Sequence, residues 1–184
     1  METLAKKLNG FSLEGISNTV SAIQQNPEIA KFELRAKNKW ITGGHNRSNI
    51  QGFYGACQED TSRVVPFVYD NDEPPILLGE NKGANPAEVI LHGLLGCMTT
   101  SMMLLASAHG IEVSSVSSSV EADFDLQGFL GLDPSIEKGS QQIRVEFEVE
   151  GVTEEQKQEL LSLAKQSPVY NTILNPTDVR VEIK

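Results

Sequence analysis

Asn85-Pro86-Ala87-Glu88-Val89-Ile90-Leu91-His92-Gly93-Leu94-Leu95-Gly96-Cys97-Met98-Thr99-Thr100-Ser101-Met102-Met103-Leu104-Leu105-Ala106 is the stretch whose reading decides the fold. It opens with the strongest helix-start signal in the chain. Asn85 suits the N-cap and Pro86 the first helical position, and Glu88 at N3 completes a capping box. Gly110, after Ala108-His109, suits the position just past the helix end. Between these ends the apolar residues surround the helix, so it is expected to be buried on most sides. Glu88, His92, Gly93, Gly96 and several hydroxyls make it a poor transmembrane span. Cys97 lies mid-helix, a reactive atom type built into a core element.

Upstream, Leu13, Ile16, Val20 and Ile23 recur at spacings of three and four, predicting an amphipathic helix over 12–25. Asn26-Pro27 ends it. Phe32, Leu34 and Ala36 alternate with charged residues, predicting a strand over 31–41, and Gly43-Gly44 is a turn. Strands near 47–57 and 62–69 are expected to form a hairpin around Gln58-Glu59-Asp60. The acidic, proline-bearing segment from Asp70 to Pro86 reads as a loop into the long helix.

Downstream, 111–125 alternates as a strand and Gly128–Gly139 reads as a loop. Ile143, Val145, Phe147 and Val149 alternate with Arg144, Glu146 and Glu148, the clearest period-two pattern in the chain. Thr153 caps a helix with Leu160, Leu161 and Ala164 as its expected core. Ser167-Pro168 starts a short helix, and Val179, Val181 and Ile183 predict a final strand. Strands come in runs, not in βαβ alternation, so the fold class is α+β with a largely antiparallel sheet around a central helix.

The chain has 184 residues, 39% hydrophobic and 22% charged, with a net charge of −10. This describes an ordered soluble domain, and the acidic balance argues against nucleic acid or an anionic membrane as partner. Met1-Glu2-Thr3-Leu4-Ala5-Lys6-Lys7 leads into no apolar export segment, which makes a cytoplasmic location the expectation. Two cysteines, Cys57 and Cys97, are too few for a disulfide scaffold. His45, His92 and His109 show no metal-ligand spacing, so no metal is expected.

An ordinary thiol is only about 3% ionised at pH 7. Cys97 lies about three turns from the helix start, beyond the reach of the macrodipole. A reactive Cys97 therefore needs a cation from elsewhere. The alternative is a packed thiol, with Met98, Met102 and Met103 as flexible filler and Gly93 and Gly96 as points of close backbone approach.

The run Asn85-Pro86-x-Glu88…Gly96-Cys97, preceded by Asp72-Glu73-Pro74-Pro75…Gly79-Glu80-Asn81, resembles the peroxidatic-cysteine helix of the OsmC/Ohr family. These are the osmotically induced protein C and organic hydroperoxide resistance proteins. The similarity continues through Gly110-Ile111, Ser167-Pro168-Val169 and Val179-Arg180-Val181. It covers roughly 37–184 and leaves 1–36 as an N-terminal extension. The resemblance implies an intertwined homodimer in which a strand-rich shell wraps the central helices, with sites at the subunit interface. It also implies thiol-dependent reduction of organic hydroperoxides, with no cofactor.

Carried over by position, the peroxidatic cysteine falls on Cys97. The activating arginine falls on Arg47, after Gly43-Gly44, with Arg63 or Arg35 as alternatives. The family's glutamate position holds Ala87; Glu88, one place later, is a capping residue or a supporting carboxylate. Ser167 stands where the family carries its second cysteine, as an N-cap that also lines the pocket. Cys57 is a packed strand residue or a compensating resolving thiol. The expected function is peroxide defence through a single reactive cysteine regenerated by an external thiol. The alternative is a non-enzymatic homodimer of the same fold that binds a small hydrophobic ligand.

Overall fold

A computed structural model describes residues 6–184. Residues 1–5, at the start of the expected extension and of the segment read for an export signal, lie outside them. The described chain divides into two compact units, one of Ser12–Ile90 and one of Lys6–Phe11 with Leu91–Lys184.

The chain begins with a two-stranded hairpin, β1 (Lys7–Leu8) and β2 (Phe11–Ser12). Its turn is Asn9-Gly10, both at positive φ, the residue pair a tight hairpin favours. Helix α1 (Leu13–Gln25) follows, with Ser12 Oγ accepting the Gly15 N–H at 3.1 Å. The expected helix is present, but none of its residues is buried. Asn26 then caps a 3₁₀ turn over Pro27–Ala30.

Six strands complete the first unit: β3 (Phe32–Glu33), β4 (Lys37–Thr42), β5 (His45–Ile50), β6 (Phe53–Gly55), β7 (Gln58–Asp60) and β8 (Phe67–Asn71). They form two antiparallel sheets, ordered β3-β6-β7 and β4-β5-β8. Three expectations change here. The strand predicted over 31–41 is two strands in different sheets, broken where Arg35 turns to Glu33 and Glu59. The strand predicted over 47–57 breaks at Gln51-Gly52, where the Gln51 amide donates to the Arg63 and Val64 carbonyls. The hairpin turn is not Gln58–Asp60 but Ala56-Cys57, both at positive φ, and 58–60 is itself a strand. Cys57 is consequently an exposed turn residue, not a packed strand residue.

Helix α2 (Pro86–Ala108) begins in the first unit and runs into the second. By length and composition it is long and apolar enough to cross a bilayer, contrary to the sequence expectation. Here Leu94, Met98, Met102 and Ala106, four residues apart, form one buried stripe along it. Its end follows the predicted pattern: Gly110 has φ of 75°, Ile111 N–H bonds Ala106 O, and Gly110 N–H bonds Ser107 O. Asn9 fastens that end. Its Nδ2 donates to Ile111 O at 2.8 Å, and its Oδ1 accepts Val113 N–H at 2.9 Å.

The stripe packs in a core with Ile111, Leu160, Leu163 and Ala164. Strands β9 (Ser115–Phe124) and β10 (Ser140–Glu150) pair antiparallel, with Val120 opposite Val145 and Val116 opposite Val149. The apolar faces of both strands lie against the core. A short helix, α3 (Leu126–Leu130), capped by Asp125, occupies the start of the predicted 128–139 loop. Helix α4 (Glu154–Ala164) carries the full Thr153–Gln156 capping box, and α5 (Pro168–Leu174) starts at Ser167 as predicted. Leu163, not Leu161, joins Leu160 and Ala164 in the core; Leu161 is exposed. The predicted final strand does not form: 175–184 has no regular structure, and Val179, Val181 and Ile183 are exposed with no strand to pair with among the described residues.

Candidate functional site

The start of α2 is built from side chains of the segment that precedes it. Asn85 Oδ1 accepts the Ala87 N–H at 2.7 Å, and Glu88 Oε2 accepts the Asn85 N–H at 2.9 Å. Both halves of the cap are thus in place. Glu88 spends its carboxylate on this bond. The Asn85 amide also donates to Glu73 Oε2, which brings a second carboxylate to the helix start.

Glu73 is itself held in place. Asp72, only 2% exposed, accepts backbone N–H groups from Glu73 (2.8 Å), Glu80 (3.0 Å) and Lys82 (3.1 Å). These bonds stabilise its anion and lower its pKa, that from Lys82 most. The loop is tight enough that a Cβ added at Gly79 would collide with the Glu73 carbonyl, and one at Gly83 with the Asp70 carbonyl. The segment read as a loop is therefore a closed ring of hydrogen bonds around one buried carboxylate.

Beside it, strand register assembles a charged trio. Arg47 on β5 lies opposite Asp70 on β8. Its Nε donates to Oδ1 at 2.8 Å and its Nη2 to Oδ2 at 3.0 Å, while His45 Nε2 meets Oδ1 at 2.9 Å. His45 and Arg47 are two residues apart on one strand and so share a face. The Arg47 bonds, then that of His45, pull the Asp70 pKa down to about 2. The same contact raises that of Arg47. The other arginines in this unit behave differently. Arg35 is bound by Glu59 and Glu33, whereas Arg63 lies over the Phe53 and Phe67 rings.

In the second unit, Cys97 is half-buried and adjacent in sequence to Met98 of the buried stripe. One residue on a helix is a rotation of about 100°, so the thiol sits at the flank of that stripe, not in its centre. Ser167 is fully buried, and its Oγ accepts the Tyr170 N–H at 3.2 Å as the α5 cap.

Arg47 is brought to Asp70 and His45, and Glu88 to Asn85. Cys57, in the first unit, is at the tip of the β6–β7 turn. Sequence reasoning quoted Asp72-Glu73 only as part of the family-like run and weighed His45 only as a metal ligand, and it gave none of His45, Asp70, Asp72 and Glu73 a place in the site. The His45-x-Arg47 alternation was the available signal, but its partner Asp70 appears only once β5 is paired with β8. No group of three or more His, Cys, Asp or Glu among the described residues is arranged to hold a metal ion.

The OsmC-like protein family model matches residues 79–182, which include α2, the β9–β10 pair and both C-terminal helices. The chain belongs to the OsmC-like family. Solved structures agree in fold. An OsmC-like protein from Mycoplasma pneumoniae is 17% identical with a TM-score of 0.58, covering 77% of this chain and 87% of that one. An organic hydroperoxide resistance protein, OsmC, from Legionella pneumophila is 20% identical with a TM-score of 0.54, covering 76% and 88%. No curated protein matches the chain at a significant level. The α+β class with antiparallel sheets, expected from the order of elements, is thus the OsmC-like fold.

Proposed function

We propose that this OsmC-like protein reduces organic hydroperoxides in peroxide defence, with Cys97 as the attacking thiol. The observation that carries the reading is the place of Cys97: half-buried, on the flank of the core stripe of the helix that the family model spans. A reactive thiol must be partly accessible, and a fully packed one is inert. The name of the Legionella neighbour points to the same chemistry.

In the proposed reaction the Cys97 thiolate attacks the terminal peroxide oxygen. The S–O bond forms, the O–O bond breaks, and the leaving alkoxide takes a proton to become an alcohol. Sulfur is oxidised to a sulfenic acid and the peroxide is reduced. Arg47 is the proposed cation for the thiolate and the peroxide, aimed by its two-point grip on Asp70. Ser167 cannot form a disulfide, so the sulfenic acid is reduced by an external small thiol, or by Cys57.

The working form is proposed to be a homodimer. No hydrophobic side chain of the first unit is buried among the described residues, while Trp40, Phe67 and Tyr69 of its β4-β5-β8 sheet are exposed. Exposed apolar faces of this kind mark surfaces that a partner covers. In the second unit, a side chain added at Gly93 or Gly96 would meet nothing. The alternating Val179, Val181 and Ile183, exposed and without regular structure in the single chain, are proposed to become a strand only when a second copy supplies an edge. The location is proposed to be cytoplasmic, and neither nucleic acid nor membrane is a proposed partner.

The test is peroxide consumption with cumene hydroperoxide and a small dithiol. Wild type should outpace Cys97→Ser, with Cys97 oxidation visible by mass spectrometry. Equal rates would overturn the enzymatic reading. A monomeric mass by light scattering would overturn the dimer.

A second reading has its own observation. A half-open pocket of about 710 Å³ lies in the second unit, its apolar wall formed by Met102, Val145, Phe147, Val149 and Leu160 and its rim by Glu146, Glu148, Glu150 and Lys157. A non-enzymatic member would hold a small hydrophobic ligand there. Ligand binding that persists in Cys97→Ser, with no peroxide consumption by wild type, would favour it.

A further inference from the structure

We propose that Arg63 and the aromatic rings around it form a binding site for a small amphiphilic carboxylate, with the guanidinium taking the carboxylate and the neighbouring apolar side chains its tail. The proposal stands apart from the thiol chemistry and uses residues of the first unit only.

Three observations carry it. The first is charge. Of the arginines on and between the strands of this unit, Arg35 is occupied by Glu59 and Glu33, and Arg47 by Asp70. Arg63 makes no ion pair among the described residues, and its one side-chain hydrogen bond runs from Nη1 to Gln51 O at 3.3 Å. Asp60 lies near enough to feel its charge, but the Asp60 Oδ1 is taken by the N–H and hydroxyl of Ser62. A guanidinium offers a planar fork of donors matched to a carboxylate, and most of this fork is unspent.

The second is pre-organisation. The Arg63 Cζ sits 5.3 Å from the centroids of both Phe53 and Phe67. Phe53 in turn stacks on Phe32 at 6.1 Å. The backbone beneath is pinned as well, since the Gln51 amide donates to Arg63 O and Val64 O. The long side chain is therefore ordered before any ligand arrives, and binding loses less freedom than at an ordinary surface arginine.

The third is the apolar rim. Val64 and Val65, next to Arg63 in sequence, are 85% and 75% exposed, and Phe32, which stacks on Phe53, is more than half exposed. Exposed apolar groups near a cation that makes no ion pair among the described residues match a ligand with an anionic head and an apolar body. Phosphate alone would leave the rim uncovered, and a neutral hydrocarbon would leave the guanidinium unmatched.

The experiment uses the full chain carrying Cys97→Ser, so that nothing depends on oxidation. Sodium octanoate and 1-octanol are titrated by calorimetry. Octanoate should bind more tightly than octanol. Arg63→Gln should weaken octanoate about tenfold and leave octanol unchanged. Arg63→Lys keeps the charge but not the fork, guards against a folding artefact, and should fall between. The proposal is overturned if octanoate binds wild type no better than octanol, if it does not bind, or if either Arg63 variant matches wild type.

Discussion

Arg47 holds Asp70 by both carboxylate oxygens, at 2.8 and 3.0 Å, directly across the β5–β8 register. His45 shares the same carboxylate, so one acid serves two basic groups on one strand face. The Asp70 pKa in the folded protein, about 2, lies below its ordinary value of 3.8. A depressed carboxylate stabilises the fold in full above its ordinary pKa and stops doing so as pH falls through the lower value. Asp70→Asn should therefore be less stable than wild type at neutral pH. In urea titrations the gap should narrow as pH falls from about 4 toward about 2. A gap unchanged between pH 7 and pH 3 would show that the ion pair does not set this difference.

Asp72 makes a different prediction, because its partners are backbone N–H groups. Asp72→Ala removes the acceptor for Glu73, Glu80 and Lys82 together. In hydrogen exchange those three amides should lose protection, while amides in the β9–β10 pair keep theirs. Unchanged exchange at Glu80 and Lys82 would mean the loop holds its shape without the carboxylate.

Ser167 is fully buried and caps α5 through Tyr170 N–H. Ser167→Ala should cost about 1 kcal/mol in denaturant unfolding, the usual loss for an N-cap. Ser167→Thr, which keeps the hydroxyl, should cap but crowd a site with no spare room. If Ser167→Ala is as stable as wild type, the hydroxyl is not a cap.

Cys57 sits at φ of 65° in the Ala56-Cys57 turn. That conformation costs a residue with a Cβ about 1 kcal/mol and costs glycine little. Cys57→Gly should accordingly raise the melting temperature by a few degrees while abolishing the exposed thiol. A lower melting temperature would show that the thiol makes a stabilising contact. Loss of turnover with retained stability would give Cys57 the resolving role.

What the sequence made legible is the local chemistry. Asn85, Pro86, Glu88 and Gly110 bound α2 because caps depend on a few adjacent residues. Thr153–Gln156 and Ser167-Pro168 work for the same reason. The β10 alternation is readable because one face of that strand meets the core. The split of 31–41 and 47–57 into four strands was not readable. Each break is made by a distant residue, Glu59 for Arg35 and Arg63 for Gln51. The last strand was over-read: Val179, Val181 and Ile183 carry the alternation, but an alternation needs an edge to pair with. That Cys97 lies within α2 was legible. The Arg47–Asp70–His45 trio was not, since it exists only through the pairing of strands far apart in sequence.

The ring of bonds around Asp72 has a practical side. A surface segment rich in proline, glycine and acid, running from Asp72 to Ala84, looks like the natural place to splice in a tag or a fluorescent label. It is the wrong place, because Gly79 and Gly83 leave no room against the backbone and three amides converge on one carboxylate. An insertion there would loosen the entry into α2.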